Sequence, residues 1–388
     1  MLNARSSSII AVVSLLVIIV ATNDSAAAAG RGFTGPALKT VGSVTVHPKF
    51  GGQILGYDID QNGTEGVLSE YVNLSGGKVL SATETFDQST GAILKVVAKT
   101  QTNDDFVTQG IVGNRVGLIL HQHAGANHFL TMNPIDTNQF TGRWTPTTMP
   151  GYQIEAIASS QGLRATAAYE SSFNAGLTYV FGSDIAGNTF GPLISLQPIM
   201  NSGEFFLPQI AIDSKPNQAV LADSLGCPEA ICTTDIALVN LTTGKIREFT
   251  DHIGTGTVDG LAVDPVSGIA CTTTLIHGGV EFYDLNKQTG FEVFIPNASE
   301  LDAGLDVEFD SVNHVFLIAQ YSSTGNPSNP QPRIYVYDEQ GNVKETVTIQ
   351  RTAISPSRIA FNPHTKVGFI TEIIEPQHEF LALQSFKY

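Results

Sequence analysis

The 388-residue sequence has few charged residues, few basic ones and a single tryptophan. Charged residues make up 14% of it, and 20 Lys and Arg stand against 36 Asp and Glu, which gives a formal net charge of -16. Nucleic acids and anionic membranes bind basic surfaces, so this balance argues against both as partners. With only Trp144, the chain also lacks the stacking platforms expected of a polysaccharide-degrading protein. The acidic balance is explained by the solubility of an exported protein, and it also allows cation binding.

The sequence motifs of several enzyme classes are missing as well. We find no nucleophile elbow, P-loop, dinucleotide-binding fingerprint or metalloprotease helix. The three cysteines have neither the CxxC nor the Cys/His spacing of a zinc site. Cys227 and Cys232 lie close together in a loop, and we expect a local disulfide between them. Cys271 falls within a strand and is expected to be a buried free thiol.

A long apolar run occurs only at the N-terminus, from Ile9 to Ala21, and the small residues Ala26 to Ala29 follow it. Its length of about 13 residues is below the roughly 20 needed to span a bilayer. The pattern therefore predicts a secretory signal peptide at residues 1–29 and a mature domain at residues 30–388. We expect an exported protein, secreted or periplasmic, that is monomeric and has no stable membrane span after cleavage. An uncleaved signal anchor is the alternative.

One pattern recurs along the mature chain: an apolar pair, an Asp or Asn, a short turn, and a second apolar run that ends in a small residue and then a polar one. We call the Asp, Asn or Ser of each copy its anchor, and the anchors are Asp60, Asn114, Ser159, Asp213, Asp264, Asp310 and Asn362. The copy at Asn114 is shortened. A period of about 50 residues with four short strands per unit is typical of a β-propeller. We predict an all-β, seven-bladed β-propeller of four-stranded antiparallel blades.

The two ends of the chain complete one unit. The seventh unit ends one strand short after Phe380-Leu381-Ala382-Leu383, while the strand-like Ser43-Val44-Thr45-Val46 precedes the first anchor. We therefore expect the N-terminal strand to complete the last blade and close the ring, which removes the exposed edges of an open sheet.

Polar residues recur where the second strand of a unit ends. In a propeller these positions meet the starts of the first strands at one mouth of the central channel, where ligands are expected. The candidates at the second-strand ends are Glu70, His121, Tyr169, Asp223, Gln320 and Glu372. Asp259 and Glu155 form a second tier at the entry to the first strand. Asp259 precedes Gly260, where the backbone can approach a ligand closely.

These residue types permit two kinds of chemistry. Carboxylate and amide oxygens suit Ca²⁺ or Mg²⁺, whereas His121 and His123 with a carboxylate suit a transition metal. Glu70 and Glu372, in units that become neighbours when the ring closes, are candidates for a catalytic acid/base pair. The alternative is structural, because polar residues at strand ends often cap the next turn.

The segments Gly260-Leu-Ala-Val-Asp-Pro and Arg333-Ile-Tyr-Val-Tyr-Asp resemble the NHL and YVTN classes of propeller and, more loosely, the SMP-30/gluconolactonase-like superfamily. The lactonase-like members hold a divalent cation at one mouth with Glu, Asn and Asp near the starts of inner strands. Asp259 and Glu155 match that location in character, but no Asn does. The resemblance implies a propeller that binds a small ligand, a protein or a divalent cation at the mouth. The alternative is a metal-dependent hydrolase or lactonase in which a Glu is the base.

Overall fold

A computed structural model of the chain describes residues 44–101, 105–113, 116–123, 126–132, 142–144, 152–160, 163–170, 178–183, 189–196, 209–213, 217–225, 233–251, 258–274, 278–296, 303–321, 333–348, 358–374 and 379–388. For the ranges between residues 105 and 179 it describes the backbone and, among the side chains, only that of Ala158. Within these ranges, no helix has the length and apolarity needed to cross a membrane.

The described residues form seven four-stranded antiparallel sheets, which we number as blades 1 to 7 along the chain. The strands of blade 1 are β2 (Gln53–Ile59), β3 (Glu65–Asn73), β4 (Val79–Asp87) and β5 (Ile93–Thr100), with a 3₁₀ turn at Ser75–Gly77. Those of blade 2 are β6 (Asp105–Gly113), β7 (Val116–His123), β8 (Ala126–Met132) and β9 (Gly142–Trp144). Those of blade 3 are β10 (Tyr152–Ser160), β11 (Leu163–Glu170), β12 (Thr178–Ser183) and β13 (Thr189–Ser195).

The second half of the chain follows the same order. The strands of blade 4 are β14 (Gln209–Asp213), β15 (Gln218–Leu225), β16 (Thr233–Asn240) and β17 (Ile246–Asp251). Those of blade 5 are β18 (Val258–Asp264), β19 (Ile269–Thr274), β20 (Gly279–Asp284) and β21 (Thr289–Phe294). Those of blade 6 are β22 (Ala303–Asp310), β23 (Val315–Tyr321), β24 (Arg333–Asp338) and β25 (Val343–Thr348). Those of blade 7 are β26 (Ile359–Asn362), β27 (Val367–Ile374), β28 (Glu379–Lys387) and the N-terminal β1 (Thr45–Val46).

The first strands of the blades form a closed inner ring. Each contacts the first strands of the two neighbouring blades, and β26 of blade 7 contacts β2 of blade 1. The N-terminal strand completes blade 7, since Val46 pairs with Leu383 in an antiparallel register. The predicted propeller fold and its closure by the N-terminal strand are thus confirmed. We call the space that the first strands enclose the channel.

The anchor residues explain why the sequence repeats. Each of Asp60, Asp264, Asp310 and Asn362 is buried, and one side-chain oxygen accepts a hydrogen bond from the backbone amide two residues later, at 2.7 to 3.0 Å. This Asx turn reverses the chain between the first and second strands of a blade, so an Asp or Asn is needed at that position. Asp213 is also buried, at the end of β14.

Blades 2 and 3 use shorter connections at this point. Gly113 pairs with Val116, and Ser160 pairs with Leu163, so two residues separate the strands in each case. Ser159 lies within β10, and Asn114 falls outside the described residues. The shortened turn predicted for blade 2 therefore occurs in blade 3 as well.

The hydrophobic core is divided among the interfaces between blades. Val46, Phe86 and Phe369 belong to one cluster, which joins blade 7 to blade 1. Similar clusters join blades 3 and 4, 4 and 5, 5 and 6, and 6 and 7. Packing between the blades at these five interfaces stabilises the ring and holds the inner strands in position.

Candidate functional site

A β-bulge recurs near the start of the inner strands. The register skips one residue in each of β2, β6, β10, β18 and β22, and the skipped residues are Leu55, Thr108, Glu155, Asp259 and Leu305. Bulges redirect a side chain relative to the regular strand. Asp259 and Glu155, the two candidates of the predicted second tier, therefore occupy equivalent positions in blades 5 and 3. The side chain of Glu155 lies outside the described residues.

Gly260 brings the inner strands of blades 5 and 6 into close contact. A Cβ atom at this position would lie 2.7 Å from the Val307 amide nitrogen and 2.8 Å from the Cα atom of Asp306. Only glycine tolerates this approach. The sequence suggested that the backbone at Gly260 approaches a ligand. In the structure it approaches the inner strand of blade 6, and this contact places Asp259 beside Asp306.

Two further carboxylates line the channel at matching positions. Asp58 and Glu308 each lie two residues before the anchor of their blade, in blades 1 and 6. Each side chain accepts a hydrogen bond from the next residue's amide, at 2.8 Å for Asp58 and 3.1 Å for Glu308. All four acids on these inner strands are partly exposed. Solvent therefore reaches a group of carboxylates that is otherwise enclosed by protein.

The pKa values of these acids are raised. Burial is the main cause for Asp259, whose pKa rises to about 7, and the Asp306 charge adds to it. Burial also raises the pKa of Asp306 to about 6. The pKa of Glu308 is well above its usual range, because of burial first and then the charges of Asp58 and Asp306. Enclosure and mutual repulsion thus keep part of this group protonated near neutral pH.

Arg358 and Tyr57 border the same group. The exposed Arg358 immediately precedes β26, and its charge opposes the rise in the pKa values of Asp259 and Asp306. Tyr57 is buried, and its hydroxyl donates to the Arg358 carbonyl. Burial, with a smaller effect of Asp306, raises the pKa of Tyr57 well above its usual value, so the phenol stays neutral and keeps donating.

Glu70 lies beneath the N-terminal segment of blade 1. It is fully buried, and its Oε1 and Oε2 atoms accept hydrogen bonds from the amides of Phe50 at 2.9 Å and Gly52 at 2.8 Å. The neighbouring Glu84, also buried, accepts from the Lys49 amide at 2.9 Å. Both Glu70 oxygens are therefore used to fasten residues 49–52 to the blade. This geometry favours a structural role for Glu70, and its predicted catalytic role stays a prediction.

The other candidates at second-strand ends are placed by register. Glu70, His121 and Gln320 each pair with the residue just before the bulge of the inner strand, which supports the alignment of His121 with Glu70. Gln320 is buried. Tyr169 pairs with Gln153, which lies two residues before the bulge of β10.

For the remaining candidates the structure describes less. Asp223 and Glu372 lie in β15 and β27, and His123 in β7 pairs with Ala126, but the side chains of all three are outside the described set. Cys227 and Cys232 also lie outside the described residues, so their disulfide stays a prediction. Cys271 is a free, buried thiol, as predicted.

Sequence reasoning missed Asp58, Asp306, Glu308 and Arg358. A signal for the acids exists in the run Asp306-Val-Glu-Phe-Asp310, where acidic and apolar residues alternate up to the anchor. Strand periodicity places such acids on one face. The sequence alone does not show that this face borders the channel.

Comparison with known proteins supports the fold. No family model and no curated protein matches the sequence. Among solved structures, the chain is similar to a chain of the mitotic checkpoint complex, with a TM-score of 0.60 and 9% identity over 96% of this chain and 99% of that one. It is also similar to the Cps50 (Swd1) β-propeller domain of Myceliophteria thermophila, with a TM-score of 0.58 and 10% identity over 89% and 98%. These neighbours are WD40 β-propellers, and at such identities the likeness shows the β-propeller fold alone.

Proposed function

We propose that this β-propeller is a binding scaffold whose channel holds a divalent cation, alone or as the attachment point of a small ligand. The supporting observation is the group of partly exposed carboxylates on the inner strands: Asp58, Asp259, Asp306 and Glu308. Carboxylate oxygens are the ligands that Ca²⁺ and Mg²⁺ prefer. A divalent cation would replace the protons held by Asp259 and Asp306 near neutral pH and relieve the repulsion among the acids.

Calcium titration by isothermal calorimetry tests this proposal. The site variant is Asp259→Asn/Asp306→Asn, which keeps the side-chain shapes and removes two charges. The matched control is Glu248→Gln, which removes a charge from an exposed residue of β17 at the outside of blade 4. We expect the wild-type protein and the control to bind Ca²⁺ alike and the site variant to bind at least about tenfold more weakly. Equal binding by all three proteins would refute the channel site.

Metal-assisted hydrolysis, such as lactone opening, is the second candidate function. Two observations favour it: the equivalent bulges of Glu155 and Asp259, and an Asp259 pKa of about 7, which suits a general base at neutral pH. In this hypothesis Asp58, Asp306 and Glu308 would hold the cation, which would supply polarisation of the substrate carbonyl, and Asp259 would take a proton from water. His121 and His123 remain candidates for additional ligands. A chelator-sensitive hydrolysis rate that is lost in Asp259→Asn would support it, and wild-type protein that adds nothing to the background rate would count against it.

We also propose that residues 1–29 are removed on export. The support is the short apolar run from Ile9 to Ala21 followed by small residues. Intact-mass measurement of the exported protein should then give a chain that starts at Gly30.

A further inference from the structure

A second group of metal-ligating side chains lies away from the channel, between blades 5 and 6. It consists of Asp264 at the end of β18, His314 in the turn before β23, and Glu339 just after β24. One ligand atom from each of the three lies within 4.8 Å of the other two. Asp264 is fully buried, Glu339 partly buried and His314 exposed. The group therefore combines a buried carboxylate with access from solvent.

The interface between blades 7 and 1 has amide side chains at the two positions that correspond to Asp264 and Glu339. There the blade 7 anchor Asn362 donates from Nδ2 to Oε1 of Gln88 at 3.1 Å. Gln88 directly follows β4, as Glu339 directly follows β24. The same two positions thus hold two amides at one interface and two carboxylates, Asp264 and Glu339, at the other.

This replacement changes the electrostatics. An amide pair supplies both donor and acceptor, whereas two carboxylates supply acceptors only and repel each other. Among the described residues, the one ion pair in this group is that between His314 and Asp264. No described lysine or arginine forms an ion pair with Asp264 or Glu339. Ser267 hydrogen-bonds to both carboxyl groups, and a shared proton or a cation is needed to offset their mutual repulsion.

His314, the third member of the group, has a left-handed backbone conformation. Its φ is +52°, and the corresponding residues before the second strands of blades 4 and 5 are Asn217 and Gly268, with φ of +52° and +75°. His314 Nδ1 lies 2.9 Å from Asp264 Oδ2. Two ligand atoms on one tetrahedral zinc ion are roughly 3.3 Å apart, so a small adjustment of the side chains brings both onto an ion.

We propose that Asp264, His314 and Glu339 bind a divalent transition-metal ion such as Zn²⁺, which joins blades 5 and 6. Two carboxylates and one imidazole form a ligand set that suits zinc and leaves a further position for water. The ion takes the place of the donor that the Asn362 and Gln88 amides supply at the blade 7 and 1 interface. This site is separate from the channel, and it does not depend on the function proposed there.

Zinc titration of the metal-free protein tests the proposal, with Co²⁺ as the spectroscopic probe. The key variant is Asp264→Asn/Glu339→Gln, which copies the amide pair Asn362/Gln88 and so is expected to fold. His314→Asn is the second variant, because Asn217 already holds the same backbone position. The channel variant Asp259→Asn/Asp306→Asn is the control that keeps this site intact.

With Ca²⁺ present to saturate the channel, we expect wild-type protein and the channel variant to bind one Zn²⁺, to melt several degrees higher with it, and to give a visible d–d absorption with Co²⁺. The amide variant should melt without metal at least as high as wild type, show no zinc shift, and bind at least about tenfold more weakly, as should His314→Asn. Absence of saturable zinc binding to wild type would overturn the proposal, and so would equal binding by the amide variant. Failure of the channel site would appear separately, in the calcium titration.

Discussion

The Oδ2 atom of Asp306 accepts a hydrogen bond of 2.7 Å from the backbone amide of Ile359, the first residue of β26. A carboxylate of the channel thus holds the inner strand of blade 6 to that of blade 7. The same residue raises the pKa of Asp259 on its other side, in blade 5. Asp306 therefore couples the packing of three blades to the electrostatics of the channel.

We predict that Asp306→Ala destabilises the protein more than Asp306→Asn does. Alanine leaves the Ile359 amide without its acceptor, which costs about 1–3 kcal/mol. Asparagine keeps an acceptor oxygen and removes a charge that burial already disfavours, since the pKa of Asp306 is raised to about 6. Urea unfolding of both variants at neutral pH measures the difference. Equal midpoints would show that this hydrogen bond contributes nothing.

Stability should fall as the pH rises from about 4 to about 7. The pKa of Asp259 rises from 3.8 to about 7 on folding and that of Asp306 from 3.8 to about 6, mainly through burial. Between these values the native state holds more protons than the unfolded chain, so the free energy of unfolding decreases with rising pH. Thermal melts across this range without metal should show the slope, and Asp259→Asn should flatten it. A slope unchanged in this variant would contradict the assignment. Glu84, whose pKa burial raises from 4.5 to about 7, leaves part of the slope in place.

Replacing Glu70 should affect stability and leave calcium binding unchanged. In Glu70→Gln an NH₂ group meets one of the amides of Phe50 and Gly52, and losing that acceptor costs about 1–3 kcal/mol. The matched variant Glu84→Gln should cost less, because burial raises the pKa of Glu84 to about 7 and the group is often neutral. Denaturant unfolding and calcium calorimetry separate the two effects. Loss of calcium binding in a folded Glu70→Gln variant would show that Glu70 takes part directly in binding at the channel mouth.

Thiol labelling should report both cysteine predictions. Cys271 is fully buried, and burial raises the pKa of its thiol well above the usual value, with the Glu281 charge adding to the rise. A buried, neutral thiol reacts slowly. Native protein should therefore show no reactive thiol, and unfolded, unreduced protein should show one. Three thiols on unfolding without reductant would rule out the disulfide between Cys227 and Cys232.

The sequence specifies most of the fold because four of the anchors, Asp60, Asp264, Asp310 and Asn362, form the turns of their blades. Asp264 and Asn362 are buried and bind the amides of their own turns, so the pattern recurs wherever the turn does. Local chemistry of this kind is visible in a sequence. The packing of residues 49–52 over Glu70 is not, since it joins the N-terminal segment to a strand end through backbone amides.

The candidate sites were less predictable because they form between blades. Asp259 could be found from its distance to the anchor, but its neighbour Asp306 belongs to the next blade and reaches it through the close contact at Gly260. His314 looks like an ordinary turn residue until blade 5 places Asp264 beside its ring. Contacts of this kind depend on how blades pack, which the spacing of one repeat does not encode.

Proton release on cation binding is the measurement that bears most directly on the channel site. Calcium titration in two buffers of different ionisation enthalpy, below pH 6 and above pH 8, gives the number of protons displaced. We predict release at the lower pH, because Asp259 and Asp306, with pKa values of about 7 and about 6, must lose protons to bind the ion. At the higher pH release should be much smaller, and Asp259→Asn should reduce it at the lower pH. Calcium binding with no proton release at either pH, or no calcium binding at all, would contradict a cation site built from these carboxylates.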